Sequence, residues 1–566
     1  MYNSSIFERN LSALSQNNPE LCARLESLRL SKAVTGLRHY TFLETANGEL
    51  IPACMDSTGT AIPPGGSRAL HSTIDPQREA KRLIDTIEGE NILVFLGLGA
   101  AYYVKAALER KDISMALVFE YDINGLAELF SRLDYTSLFS DSRFRLFTDI
   151  SEAEIKQLIL GLYKPAIYGG IRVVPLRSRT AMDSKLFSGA ADAITLAIEA
   201  VSADYSVQAH FGKRWFSNIV RNLMAAEEAE ELPLSIHRAA VCAAGPSLSV
   251  QIGLLRERRK DLFLIASDTS LPCLLAADIR PDAIISIDCQ HISYYHFMDG
   301  LPEGIPLFLD LASPPLLASL TKLRCFVSGG HPLTRYVSQT WKAMLELDTS
   351  GGNVSYAAVS LAEHLGAEEI ELYGADFSYP QGISYARGAY IYPFFTRKAN
   401  RLTPLEAHIS AFLYRTPLEK KNSSDAWYYE TRTLSFYREK LEEKSKSMEA
   451  LLIPAKGMGA PINLPSSGGK SHSICKKQIL PRNKGMASIS AGEFLLRYRN
   501  DIARLPAPVN SISDYLNSLN DNEQTVFTTI LPSAAALKKQ NPKMSFPELF
   551  DITRKYCLKV LKNACR

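Results

Sequence analysis

The chain predicts a multidomain α/β fold: two Rossmann-like α/β units followed by a helical C-terminal domain. Three observations carry this expectation. Short apolar runs bounded by Gly, Ser, Asp or Glu recur in two separate regions, as buried parallel strands do. Segments of helical period lie between those runs, the βαβ alternation. From 488 to the end the strand-like runs give way to helical period alone. With 566 residues, 46% hydrophobic content and a mean hydropathy of −0.06, the chain has room for several globular domains.

The elements are expected in this order. Residues 1–75 form a small α+β cap, with a helical opening and an extended stretch at 40–54 that breaks at the Pro63-Pro64-Gly65-Gly66 cluster. Residues 76–235 form the first α/β unit. Its strand 92–96 runs through Gly97-Leu98-Gly99-Ala100-Ala101-Tyr102 into a helix, and its next strand, 116–119, ends in Glu120. Glycines in the turn with an acid closing the next strand make half of a ribose-binding pattern, but the third glycine is missing. Gly97, Gly99 and Glu120 are therefore read first as a structural turn and second as a cofactor turn. A long helical stretch, 184–231, follows, with Phe211, Trp215, Ile219 and Leu223 spaced as a packing stripe.

Residues 236–455 form the central unit. A strand at 239–243 enters Gly245-Pro246-Ser247-Leu248 and a helix through about 258; a strand at 262–266 ends in Ser267-Asp268-Thr269; a third, 283–287, ends in Asp288. Further on, Gly351, Gly352 and Asn353 precede a helix with apolar positions at 354, 357, 358, 361, 362 and 365, which Asn353 is placed to cap. Strand 370–373 then leads into Gly374-Ala375-Asp376 and a loop holding Tyr379, Tyr385, Arg387 and Tyr390. Ligands of open α/β sheets sit beyond the carboxyl ends of strands. The convergence of these polar ends predicts a nucleotide-type pocket; the three tyrosines read alternatively as a half-buried aromatic rim. His291 and His296, just after Asp288, are either acid–base groups or a surface pair. Residues 427–452 read as one amphipathic helix, 456–487 as a Gly/Ser/Pro/Lys-rich linker, and 488–566 as the helical C-terminal domain.

Gly245-Pro246-Ser247-Leu248, Pro281-Asp282-Ala283-Ile284-Ile285-Ser286-Ile287-Asp288 and the 351–376 block resemble, in order and spacing, the central domain of the motility-associated factor (Maf) proteins. His71-Ser72-Thr73-Ile74-Asp75-Pro76 and Phe211-Gly212-Lys213-Arg214-Trp215-Phe216, with Asn218 and Asn222, extend the resemblance over roughly residues 70–395. The family shares its domain name with an archaeal pterin diphosphokinase (MptE-like), and its central unit is similar to the bacterial sialyltransferases that use CMP-activated sugars.

The resemblance implies a cytoplasmic glycosyltransferase that moves a pseudaminic- or legionaminic-type nonulosonic acid from a CMP-linked donor to Ser or Thr of flagellin. Gly245, Pro246, Ser247, Asp268 and Asp288 would bind the nucleotide; Gly351, Gly352 and Asn353 would meet the phosphate or the sugar carboxylate. Tyr379, Tyr385, Arg387 and Asp376 would form the catalytic set. Where the family carries a Thr-His-Ala-like triplet, this chain has Ser384-Tyr385-Ala386. No cofactor or resident metal is implied; magnesium, held by Asp288 and Asp376, belongs to the alternative of an ATP-dependent diphosphokinase. A non-catalytic flagellar assembly factor is the third reading.

Composition narrows the field further. The net charge of +3, 63 basic against 60 acidic residues, gives bulk electrostatics no call on nucleic acid. Nine cysteines without a C-x-x-C spacing read as reduced thiols rather than a zinc cluster. No P-loop, Gly-x-Ser-x-Gly or His-Glu-x-x-His motif occurs. No apolar run is expected to span a membrane, and the first sixteen residues lack the basic and apolar regions of an export signal.

Overall fold

A computed structural model describes residues 4–30, 40–54, 68–229, 235–422, 427–465, 489–508 and 512–564. It is mixed α/β, and its contacts divide it into two compact units. The first comprises Met1–His210, Pro506–Gln524 and Leu531–Thr553; the second comprises Phe211–Leu505, Thr525–Ile530 and Arg554–Arg566. The expected C-terminal stretch is helical, as Ala491–Arg504, Ile512–Ser518, Asp521–Gln540 and Phe546–Ala564.

In the first unit, β1 (Tyr40–Glu44), β2 (Leu50–Cys54) and β3 (Arg68–Ala69) form an antiparallel sheet. A separate parallel sheet holds β4 (Glu90–Leu96), β5 (Met115–Glu120), β6 (Phe144–Thr148) and β7 (Gly170–Pro175), in the order β6-β5-β4-β7. Its central strands β4 and β5 are buried on both faces, hence the unbroken apolar run from Ile92 to Leu96. The N-terminal helix Ser4–Ser15 is fastened by the fully buried Asn10, whose amide donates to the carbonyls of Phe130 and Leu133 and accepts from the Tyr135 N–H.

The glycine turn after β4 is filled by the protein itself. Glu120 accepts from the Leu98 N–H at 3.1 Å and receives the Arg179 guanidinium at 2.5 and 3.0 Å, both side chains almost wholly buried. A Cβ on Gly97 would stand 2.7 Å from Arg179 Cγ, and one on Gly99 would stand 2.5 Å from His71 Nε2, which accepts from the Ala100 N–H. Glycine is needed here because protein side chains press against the turn, so Gly97, Gly99 and Glu120 serve the structural role.

The helix expected at 184–231 is Ser184–Glu227. By length and composition it is apolar enough to cross a membrane, with an 18-residue window of mean hydropathy 1.4. That corrects the expectation of no such run: many of its apolar positions are alanines, and Asp192 and Glu199 interrupt them, so no unbroken stretch announces it. Phe187, Ala190, Ile194 and Ala197 put one face of it into the core of the first unit.

The second unit is built on an all-parallel sheet of β8 (Arg238–Cys242), β9 (Phe263–Ser267), β10 (Ala283–Ser286), β11 (Leu307–Asp310), β12 (Arg324–Ser328), β13 (Leu345–Glu346), β14 (Glu369–Tyr373) and, last in sequence, β18 (Leu451–Pro454). The order is β13-β12-β11-β10-β9-β8-β14-β18. Strands are added in one direction from β8 to β13, and β14 then pairs on the other side of β8, so the order reverses between β8 and β14. Helix Val354–His364 covers the sheet with Ala357, Ala358, Leu361 and Ala362 wholly buried, as its apolar spacing requires.

Between β14 and β18 the chain inserts a small antiparallel sheet of β15 (Tyr379–Pro380), β16 (Glu419–Asn422) and β17 (Trp427–Glu430), with helices Ile391–Thr396 and Leu405–Leu413. This corrects the single helix expected at 427–452. Trp427, Tyr428 and Tyr429 favour a strand, which pairs with Tyr379–Pro380 on one side and Glu419–Asn422 on the other. Thr431 then caps the true helix, Arg432–Ser445, by accepting from the Leu434 N–H, and the last residues of the stretch begin β18. Of the expected linker, 457–465 is packed against the sheet edge, with Ile462 and Leu464 on the core; 466–487 lies outside the described residues.

Candidate functional site

The order reversal places the exits of β8 and β14 side by side, and there the protein's own groups close the crevice. Gly245 N–H donates to the Gly374 carbonyl, and Asp376 accepts from both the N–H (2.8 Å) and the hydroxyl of Ser247. The carboxylate of Asp376 thus occupies the anion position at the start of helix Leu248–Arg258. A side chain on Gly245 would run into that carboxylate, which is why the turn needs glycine. Residues 455–460 cross over the pair: Met458 N–H donates to Ser247 Oγ at 2.7 Å, Ala460 N–H to the Asp376 carbonyl at 3.0 Å, and Gln251 ties Gly374 to the carbonyls of Ala455 and Lys456. A cavity of about 220 Å³ remains, lined by Ser247, Gln251, Asp376, Lys456, Gly457 and Gly459. Burial pushes the Asp376 carboxyl up, against the two Ser247 bonds. Asp376, expected in the catalytic set, is thus engaged at both oxygens by Ser247 and holds the turn.

A second group of polar strand ends stays together beyond β9 and β10. Asp268, 1% exposed, accepts from Ser286 Oγ (2.5 Å) and from the N–H and hydroxyl of Thr269. Asp288 accepts from the Gln290 N–H; burial raises its carboxyl, the nearby Asp268 charge adds to the rise, and the Gln290 bonds and His296 oppose it. The buried His296 packs edge-on to Tyr390 at 4.4 Å, whereas His291 is exposed. Tyr385 lies 6.2 Å from Tyr390 and 6.1 Å from Phe412. Burial raises the phenols of Tyr379, Tyr385 and Tyr390, and the charge of Asp268 reaches both Tyr385 and Tyr390. All three tyrosines hold their protons at neutral pH and can donate.

The cation at this cluster is Arg415. Its charge reaches Tyr379, Tyr385 and Tyr390, and its guanidinium lies 3.9 Å from the centre of the Phe412 ring. Arg387, the arginine expected from sequence, is exposed; its N–H donates to Ser249 Oγ and its charge acts on Tyr392. A turn at Gly388, φ +88°, follows Arg387, and Tyr392 donates to the Tyr385 carbonyl at 2.8 Å.

Across the cluster, Gly352 (φ +72°) is exposed, and a Cβ there would stand 3.1 Å from the Tyr437 ring. The phenol of Tyr437 is raised by burial and by the charge of Asp288, which brings helix Arg432–Ser445 to the same cleft. Gly351 is buried against Tyr356. Asn353 caps its helix as expected, accepting from Tyr356 N–H while its amide donates to the Gly351 carbonyl. That commits both ends of its side chain, and the exposed Gly352 donates its own N–H to the Thr349 carbonyl at 3.0 Å.

Sequence reasoning missed Arg415, Tyr437 and Asp310. Asp310 ends β11 as Asp268 and Asp288 follow their strands; it accepts from Ala312 N–H, and burial pushes its carboxyl up to about 6. The run Leu307-Phe308-Leu309-Asp310 carried the signal, being one more apolar strand ending in an acid. None of the seven cysteines among the described residues is in a disulfide, and five of them are buried.

A family model described as 6-hydroxymethylpterin diphosphokinase MptE-like matches residues 213–382. Three uncharacterized proteins of Treponema pallidum (strain Nichols) are similar. The first is 32% identical over 152 residues, 26% of this chain and 54% of its own length; the second is 32% identical over 167 residues, 29% and 80%; the third is 26% identical over 243 residues, 42% and 51%. The chain thus spans about half the length of the first of them. Among solved structures, the Maf glycosyltransferase from Magnetospirillum magneticum AMB-1 superposes with a TM-score of 0.56 at 14% identity, covering 100% of this chain and 96% of that one; the likeness is one of fold.

Proposed function

Because the chain belongs to the Maf/MptE-like family, we propose that it is a glycosyltransferase that moves a nonulosonic acid from a CMP-linked donor to Ser or Thr hydroxyls of flagellin. The observation that carries this reading is the cleft at the ends of β9 and β10. Acids at its floor and proton-holding phenols on its wall meet there, with the exposed glycine Gly352 beside Tyr437, in a Maf-type fold.

The chemistry follows from these groups. The bond between the anomeric carbon and the donor phosphate oxygen breaks, and the acceptor oxygen bonds to that carbon. The acceptor proton passes to Asp288, whose raised carboxyl makes it a better base than a solvated aspartate. Charge collects on the leaving phosphate, where the phenols of Tyr385 and Tyr390 donate hydrogen bonds. A phenol can do this without titrating, which answers the absence of a histidine at Tyr385.

The diphosphokinase reading keeps one support, the description of the matching family model. Its expected metal pair, Asp288 with Asp376, meets an obstacle in the engagement of Asp376 by Ser247, which leaves Asp288 with Asp268. Thermal melting separates the readings by mass action. CMP or CTP is expected to raise the melting temperature more than ATP with magnesium. Stabilisation by ATP and magnesium alone would favour the kinase. Intact mass of flagellin from a strain lacking the protein tests transfer itself; an unchanged mass would leave the assembly-factor reading.

A further inference from the structure

We infer that Arg415 binds the departing phosphate of the nucleotide donor, an inference that rests on the nucleotide-sugar reading above. The floor of the cleft is acidic, since the charges of Asp268 and Asp288 both reach Tyr390. Such a floor repels a phosphate unless a cation faces it. Arg415 is the cation that acts on Tyr379, Tyr385 and Tyr390 together.

Its setting is that of a recognition residue. No carboxylate forms an ion pair with Arg415 among the described residues. The guanidinium is exposed, and its stacking on Phe412 at 3.9 Å fixes its plane. Its planar fork of donors, beside the Tyr379 phenol, suits a phosphate. Stacking and the phenol contact restrict the side chain before ligand arrives, which lowers the ordering cost of binding.

Calorimetric titration of the full chain with CMP tests the inference in wild type, Arg415→Gln, Arg415→Lys and Arg387→Gln. Arg415→Gln is expected to weaken CMP binding about tenfold or more and to flatten its salt dependence, with the unliganded melting temperature unchanged. Arg415→Lys is expected to fall between, keeping the charge and losing the fork. Arg387→Gln is expected to stay within about twofold of wild type, since Arg387 is exposed and solvent screens its charge, which acts on Tyr392 and not on the three cleft phenols. CMP affinity and salt dependence in Arg415→Gln equal to wild type would overturn the inference while leaving the CMP-donor reading intact. If wild type binds ATP with magnesium and not CMP, the donor reading fails, and the same comparison with ATP decides Arg415. Binding of neither by wild type overturns both.

Discussion

At the scale of single residues, the site depends on groups whose protons are held in place by burial. Tyr385 is the sharpest case, because its phenol is raised by burial and by its tyrosine neighbours and stands where the resemblance leads one to expect histidine. Tyr385→Phe removes one donor to a charged oxygen, so transfer is expected to slow by roughly tenfold to a hundredfold, ~1.5–3 kcal/mol, with donor affinity little changed. Tyr385→His is expected to raise glycosylation if the present site is a weakened form of the family mechanism, because imidazole exchanges protons near neutral pH. Flagellin mass equal to that of the deletion strain in wild type and both variants would end the transferase reading. Gly352 gives a second test. Its positive φ and the nearness of Tyr437 leave no room for a branched side chain, yet it is exposed. Gly352→Val is expected to abolish CMP-induced stabilisation while the unliganded protein stays folded, and undiminished stabilisation would show that the cleft lies elsewhere.

At the scale of elements, the segment 455–460 braces the β8 and β14 exits, which backbone bonds already join. Gly459 lies against main chain: a Cβ would stand 2.6 Å from both Cα and the carbonyl oxygen of Asp376. Backbone cannot move aside as a flexible side chain can, so Gly459→Ala is expected to cost about 1–3 kcal/mol in urea unfolding. Gly253, inside helix Leu248–Arg258, supplies the contrast, since nothing lies within 4 Å of its added Cβ. Gly253→Ala is expected to add about 0.5–1 kcal/mol through helix propensity. Equal effects of the two substitutions would mean that this crossing segment does not hold the exits.

For the molecule as a whole, what the sequence revealed depended on how local the signal was. The buried strands β8, β9, β10 and β14 were legible because parallel strands are apolar runs with polar ends. The strand Trp427–Glu430 was not, because its partners lie far off in the chain at Tyr379–Pro380 and Glu419–Asn422. Arg415 and Arg387 are alike in sequence, and only the packing of Phe412 and Tyr379 distinguishes them. The same long-range packing makes stability depend on pH with opposite signs. His71 in the first unit and His331 in the second are lowered by burial to about 4 and about 3, so the unfolded chain takes up protons first and their contribution is lost as pH falls below about 6.5. Asp310, also in the second unit, is raised by burial to about 6 from 3.8. Its contribution is full below 3.8 and is lost as pH rises through about 6. The difference of 6 − 3.8, about 2 units, corresponds to at most about 3 kcal/mol. Asp310→Asn removes that term and leaves the histidines, so its stability is expected to fall more steeply than wild type as pH drops from 6 to 4. The amide also faces the N–H groups of Ala312 and Gly329 that the carboxylate accepted, which alters stability at every pH, so the slope rather than the absolute value is the readout. Urea midpoints at pH 4, 5, 6 and 7 measure it, and parallel profiles for wild type and Asp310→Asn would mean that Asp310 ionises in the folded protein as it does in the unfolded chain.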